Sequence, residues 1–111
     1  MYAPNYIQEV SALIRAKIDQ NKLPNEGLDQ LFGSYALLAL SKGTSVTNED
    51  VHDAWSSWAT QYDPTNDSIV PFDELEPDVQ VEDTIFRDAI RAVAQSLPEG
   101  LDSSIKRGMR G

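Results

Sequence analysis

The stretch Thr47-Asn48-Glu49-Asp50-Val51-His52-Asp53-Ala54-Trp55-Ser56-Ser57-Trp58-Ala59-Thr60-Gln61-Tyr62 opens on a helix start and then repeats apolar residues every three or four positions. Thr47 reads as an N-cap, with Glu49 and Asp50 in the first turn, where the helix dipole favours acids. Asp50 takes the capping-box place more often held by Glu or Gln. Val51, Ala54, Trp55, Trp58 and Tyr62 fall on one helical face, with His52 beside that stripe and Asp53 further round. Asp63-Pro64-Thr65-Asn66-Asp67-Ser68 stops the helix, because proline disfavours helical geometry in the residue before it and the rest are turn formers.

Working forward, Ile69-Val70-Pro71-Phe72 is a short apolar piece whose proline removes a backbone donor. It is expected to run extended across helices and fill the core instead of joining a sheet. Pro77 suits the first position of a last helix reaching about Leu97, with Val79, Glu82, Asp83, Phe86, Ala89, Ile90, Val93 and Leu97 on one side. Two of those positions are acids, and an unpaired buried charge costs several kcal/mol. Asp83, with Ile85 and Phe86 two and three residues on, is the better candidate for burial.

Working backward, Tyr6, Ile7, Val10, Leu13, Ile14, Lys17 and Ile18 set a helical face over residues 6–20, started by Pro4 and Asn5. A turn follows over 20–27, marked by Asn21, Pro24, Asn25 and Gly27. A second helix is expected over about 28–41, with Leu28, Leu31, Phe32, Tyr35, Leu38 and Ala39 inward. It is apolar on most sides near its end, which suits a central helix. Gly43 marks its stop. The expected architecture is all-α: one small domain over 1–99, of about four helices, with the Val-Pro-Phe segment packed between the last two. Residues 100–111 form a basic tail carrying Lys106, Arg107 and Arg110.

The 111 residues suffice for one core, and 41% hydrophobic with 24% charged residues is a composition that folds. The strongest apolar run, Tyr35 to Leu40, is far short of the roughly 18 residues a bilayer span needs. Met1 to Asn5 lack the basic start of a secretory signal, so a cytoplasmic location is expected and membrane association is not. No cysteine is present, which removes disulfides and thiolate chemistry. The net charge of −9 is unevenly placed: positions 43–86 hold eleven carboxylates and neither Lys nor Arg. Such a surface repels phosphate backbones, so the sequence points away from nucleic acid as a partner.

His52, Asp53, Asp73 and Asp83 could suggest acid–base work or a metal. One histidine without companion ligands at fixed spacing supports neither, so no catalytic residue, metal or cofactor is expected. His52 is instead expected to pack beside Trp55 and to hydrogen-bond to Asp83 or to the Val70-Pro71 backbone. Asp63, Thr65, Asp67 and Glu74 fall at places 1, 3, 5 and 12 of a calcium loop. Ser68 stands where that loop needs glycine, however, and Pro64 and Pro71 stiffen it. Trp55 and Trp58 admit two readings: both rings fill the core, or one is partly exposed as a flat platform for an aromatic ligand or a partner's anchor.

His52-Asp53-Ala54-Trp55, Ile69-Val70-Pro71-Phe72 with Leu75, and Asp83 within the next helix together resemble the repeat domain of ryanodine receptors, which also occurs in stand-alone bacterial and phage proteins. The resemblance covers about residues 47–94. It lacks the family's aromatic and basic segment between Trp55 and Val70. Residues 1–46 resemble, more loosely, the front of short uncharacterised actinobacterial and phage proteins. The resemblance implies a helical, non-catalytic binding module for a nucleotide-like or other aromatic ligand, with Trp55 as stacking platform and His52 beside it. Because positions 43–86 lack cations, a phosphate would call on Arg87, Arg91 or the tail.

The expected ligand-binding set is therefore His52, Trp55, Trp58, Arg87 and Arg91, for a small aromatic ligand or a protein partner. Val70, Pro71, Phe72, Asp83 and Phe86 are expected to clasp the last two helices. The alternative functions are an acidic protein-interaction factor, either an inhibitor or a nucleic-acid mimic, using the 43–86 surface, and a structural phage component.

Overall fold

The computed structural model describes residues 5–97, which contain four α-helices: α1 (Tyr6–Arg15), α2 (Leu28–Lys42), α3 (Asn48–Tyr62) and α4 (Pro77–Ser96). Short 3₁₀ turns at Gln20–Lys22, Gly43–Ser45 and Phe72–Glu74 join them. The basic tail and residues 98–99 lie outside the described residues. Among the described residues no helix is long and apolar enough to cross a membrane.

Local chemistry sets the helix ends. Asn5 caps α1 through a capping box with Gln8, and Thr47 caps α3 through a capping box with Asp50. Aspartate thus serves where glutamate is usual, its Oδ2 accepting from the Thr47 N–H at 2.9 Å. Asp50 also accepts from Lys42 Nζ at 2.8 Å, tying the end of α2 to the start of α3. Burial alone would raise the Asp50 pKa, but the hydrogen bonds from Lys42 and Thr47 outweigh it and hold the carboxyl below its ordinary value. Pro77 occupies the first turn of α4 as expected. Gly43, just past α2, adopts φ 59°, a conformation glycine takes without a Cβ penalty.

α2 packs against α1, α3 and α4, which explains its even apolarity. Leu31, Phe32, Tyr35, Ala36 and Ala39 of α2 are buried against Val10 and Ile14 of α1, Val51, Trp58 and Ala59 of α3, and Ala89, Ile90 and Val93 of α4. Each large side chain sealed in this way contributes about 1.5–3 kcal/mol. Phe32 meets Tyr35 edge-on, with centroids 5.4 Å apart. Arg91 of α4 donates from Nε to the Val46 carbonyl at 2.7 Å, fixing α4 to the chain entering α3.

Three expectations change. α1 ends at Arg15, five residues earlier than its periodicity suggests, and Ile18 reaches the core from outside the helix. Leu13, assigned to the inward face, is 50% exposed, because α1 lies on the rim of the bundle with one narrow stripe inward. The 69–72 segment is not a simple extended filler: Phe72 opens a 3₁₀ turn and Pro71 is exposed.

Candidate functional site

Four rings follow one another along α3 at spacings of three, three and four. His52 stacks on Trp55 at 5.7 Å and 21°, Trp55 meets Trp58 at 6.4 Å, and Trp58 stacks on Tyr62 at 5.6 Å and 21°. Helical geometry alone lines these residues up. What holds the ladder in place comes from other parts of the chain.

At one end, Trp58 donates from Nε1 to the Glu26 carbonyl at 3.1 Å. Gly27, with φ 67°, makes this approach possible: a Cβ there would stand 2.5 Å from Trp58 Nε1 and 2.5 Å from Tyr62 Cε2. At the other end, His52 is 3% exposed and its Nε2 lies 2.6 Å from the Val70 carbonyl oxygen. A carbonyl only accepts, so Nε2 carries the hydrogen and donates it. Ser56 Oγ, 3.3 Å from the same nitrogen, is a second and weaker acceptor. Phe72 covers the His52 ring at 6.1 Å, and the Phe72 carbonyl accepts from Gln80 of α4 at 3.0 Å.

The ring orientation set by this bond faces Nδ1 toward Asp83, whose Oδ2 is 3.8 Å away, too far for a hydrogen bond. Asp83 Oδ2 is buried and has no hydrogen-bond partner among the described residues. Burial pushes the Asp83 carboxyl up to about 6, the nearby His52 opposing that rise and Glu82 adding to it. Tyr35, buried on α2, has its hydroxyl pKa raised by the same desolvation, with Asp83 adding to the shift.

Between these elements lies a pocket of about 470 Å³. Tyr35, His52, Trp55, Trp58 and Phe86 supply aromatic wall, Asp83 and Glu82 line it from α4, and Leu23, Pro24, Asn66 and Ser68 close its rim. Asp63 and Lys22 also border it, Lys22 being the one lysine or arginine among the lining residues. Trp55 is therefore neither sealed in the core nor free in solvent.

The structure brings His52, Trp55 and Trp58 together as the sequence suggested. It places Arg87 and Arg91 elsewhere: neither lines the pocket, Arg87 being paired to its neighbour Asp88 at 2.9 Å and Arg91 committed to Val46. Of the expected clasp, Asp83 and Phe86 face the pocket. Val70 acts through its carbonyl, Phe72 through its ring and carbonyl, and Pro71 only by shaping an exposed turn. Asp63, Thr65, Asp67 and Glu74 are all exposed, and Asp63 Oδ2 accepts from Asn66 Nδ2 at 2.9 Å in a local turn.

Sequence periodicity did not reveal Tyr35 as a wall of the site, nor the Glu26 carbonyl as the anchor of Trp58. The one available signal was Gly27 directly before a helix, which reads equally as an ordinary turn.

The fold and site define a class: a small all-α domain whose third helix carries an aromatic ladder into a pocket closed by the fourth. The chain belongs to the family described as "Domain of unknown function (DUF7701)", which it matches over residues 5–95, a span that takes in the first three helices and all but the last residue of the fourth. No curated protein and no solved structure matches it.

Proposed function

We propose that this domain is a non-catalytic binding module that recognises a small aromatic ligand on Trp55. One observation carries the proposal: the Trp55 ring borders a pocket of about 470 Å³, within the range of small-ligand sites, among four other aromatic side chains. The lining is about half apolar or aromatic, and that half is what an aromatic ring would meet. The binding role is preferred to catalysis because His52 Nε2 is engaged by the Val70 carbonyl and serves to fix the site. A nucleotide fits less well than an aromatic body without negative charge, since Arg87 and Arg91 are turned elsewhere and carboxylates border the pocket. The likeness to the ryanodine-receptor-type repeat, with the bacterial or phage setting it brings, enters the proposal only at His52 and Trp55.

The test is a tryptophan-fluorescence titration with a panel of small aromatic compounds, run on the wild type and on Trp55→Leu. Saturable changes that vanish in the variant support the module. Their absence across the panel up to about 10 mM, a free energy weaker than −3 kcal/mol, counts against it.

A second reading rests on the exposed carboxylates Glu49, Asp53, Asp67, Asp73, Glu74, Glu76, Asp78 and Glu82, which make an acidic surface suited to a basic protein groove. A complex of that kind weakens steeply with salt, whereas recognition centred on Trp55 does not.

A further inference from the structure

We propose that the pocket selects an organic cation, namely an aromatic ring bearing a protonated amine that pairs with the Asp83 carboxylate while the ring lies on Trp55. The inference rests on the binding reading above and specifies its ligand class.

Three independent features meet at one place. The first is an acceptor without a donor. Buried carboxylate oxygens in folded proteins are almost always hydrogen-bonded, and an orphan calls for an explanation. Among the described residues Asp83 Oδ2 is such an orphan, His52 Nδ1 standing at 3.8 Å, beyond hydrogen-bond reach. The same carboxyl lines the pocket with its side chain 15% exposed, and a charged N–H is the strongest donor a ligand could bring to it, which favours a primary or secondary ammonium over a quaternary one.

The second feature is the wall. Trp55 and Phe86, both half-buried, present ring surface to the pocket that Asp83 also lines, with the buried rings of Tyr35 and Trp58 behind them. The faces of such rings attract cations through their quadrupoles, most strongly when water is excluded. The third is charge. Asp63, Glu82 and Asp83 border the pocket against Lys22 alone, so the local field draws a cation and repels an anion. Asp63 is already satisfied in part by Asn66 and Glu82 is exposed, which leaves Asp83 as the oxygen able to form a charge-assisted bond inside. A bare metal ion has too few ligands here, because no three His, Cys, Asp or Glu side chains converge among the described residues.

The experiment is calorimetric titration of the whole chain with three compounds of similar size: phenethylamine, 2-phenylethanol and 3-phenylpropionate. The wild type should bind the amine about tenfold or more tightly than the alcohol, with the acid weakest. Asp83→Asn, a near-isosteric change, should cut the amine's advantage over the alcohol to about twofold. If the three compounds bind alike, or Asp83→Asn keeps the full preference, the cation inference is overturned and the binding module stands. If none binds, both fall. The wild-type series alone decides the matter should the variant fail to give a native circular dichroism spectrum.

Discussion

His52 of α3 donates from Nε2 to the carbonyl oxygen of Val70 at 2.6 Å, across eighteen residues of chain. The bond ties the acidic loop to the third helix. It also faces Nδ1 toward Asp83 and holds the ring stacked on Trp55. One side chain thereby fixes both the connection and the pocket's aromatic wall.

Replacing His52 with Ala should cost about 2–4 kcal/mol, from an unpaired Val70 carbonyl plus a cavity under Trp55 and Phe72. Urea unfolding checks this. A loss below about 0.5 kcal/mol would mean that the loop is held by something else.

Asp83 should make stability depend on pH in an unusual direction. Its folded pKa, about 6, lies above the ordinary 3.8, so the folded state binds the proton more tightly. Its contribution is most favourable below about pH 4 and falls as pH rises through 6, by on the order of 1 kcal/mol after allowance for its partial solvation. Relative to wild type, Asp83→Asn should therefore gain stability between those pH values and hold the gain above them. Parallel denaturation curves at acid and neutral pH provide the measurement.

Asp50 works in the opposite sense. Hydrogen bonds from Lys42 and Thr47 hold its pKa down against the effect of burial, so it stabilises the fold above the ordinary carboxylate value, and the effect is lost as pH falls through the lowered one. Thr47→Ala removes one of these bonds and the α3 cap, and should cost about 1 kcal/mol at neutral pH. The loss should shrink in acid, which thermal melts at two pH values can show.

Gly27→Ala should destabilise by about 2–4 kcal/mol, because a Cβ at φ 67° is strained and would collide with Trp58 and Tyr62. The same change should shift the Trp58 indole N–H resonance by disturbing its bond to Glu26. Wild-type stability in this variant would show that the 23–27 turn does not clamp the ladder.

Much of the architecture was legible because it follows from local rules. Thr47 and Asp50 announce α3, Pro77 announces α4, and Gly43 closes α2, each through backbone chemistry visible in a few residues. The early end of α1 was hidden because Lys17 and Ile18 keep the helical spacing after the helix has stopped. At the site, the ladder of His52, Trp55 and Trp58 was readable from helical spacing, and Asp83 turns out partly buried, with its Oδ2 sealed. The partners that give these residues meaning are backbone carbonyls of Glu26 and Val70, which carry no mark in the sequence. Arg91 looked like a phosphate ligand for the same reason: its acceptor is the Val46 carbonyl, 45 residues away.

The measurement that bears most directly on the central claim is an indole N–H spectrum of ¹⁵N-labelled protein during titration with phenethylamine. Trp55 should shift progressively and saturate, while Trp58, held by Glu26, moves less. Two indole resonances unmoved up to about 10 mM ligand would contradict a ligand site on Trp55.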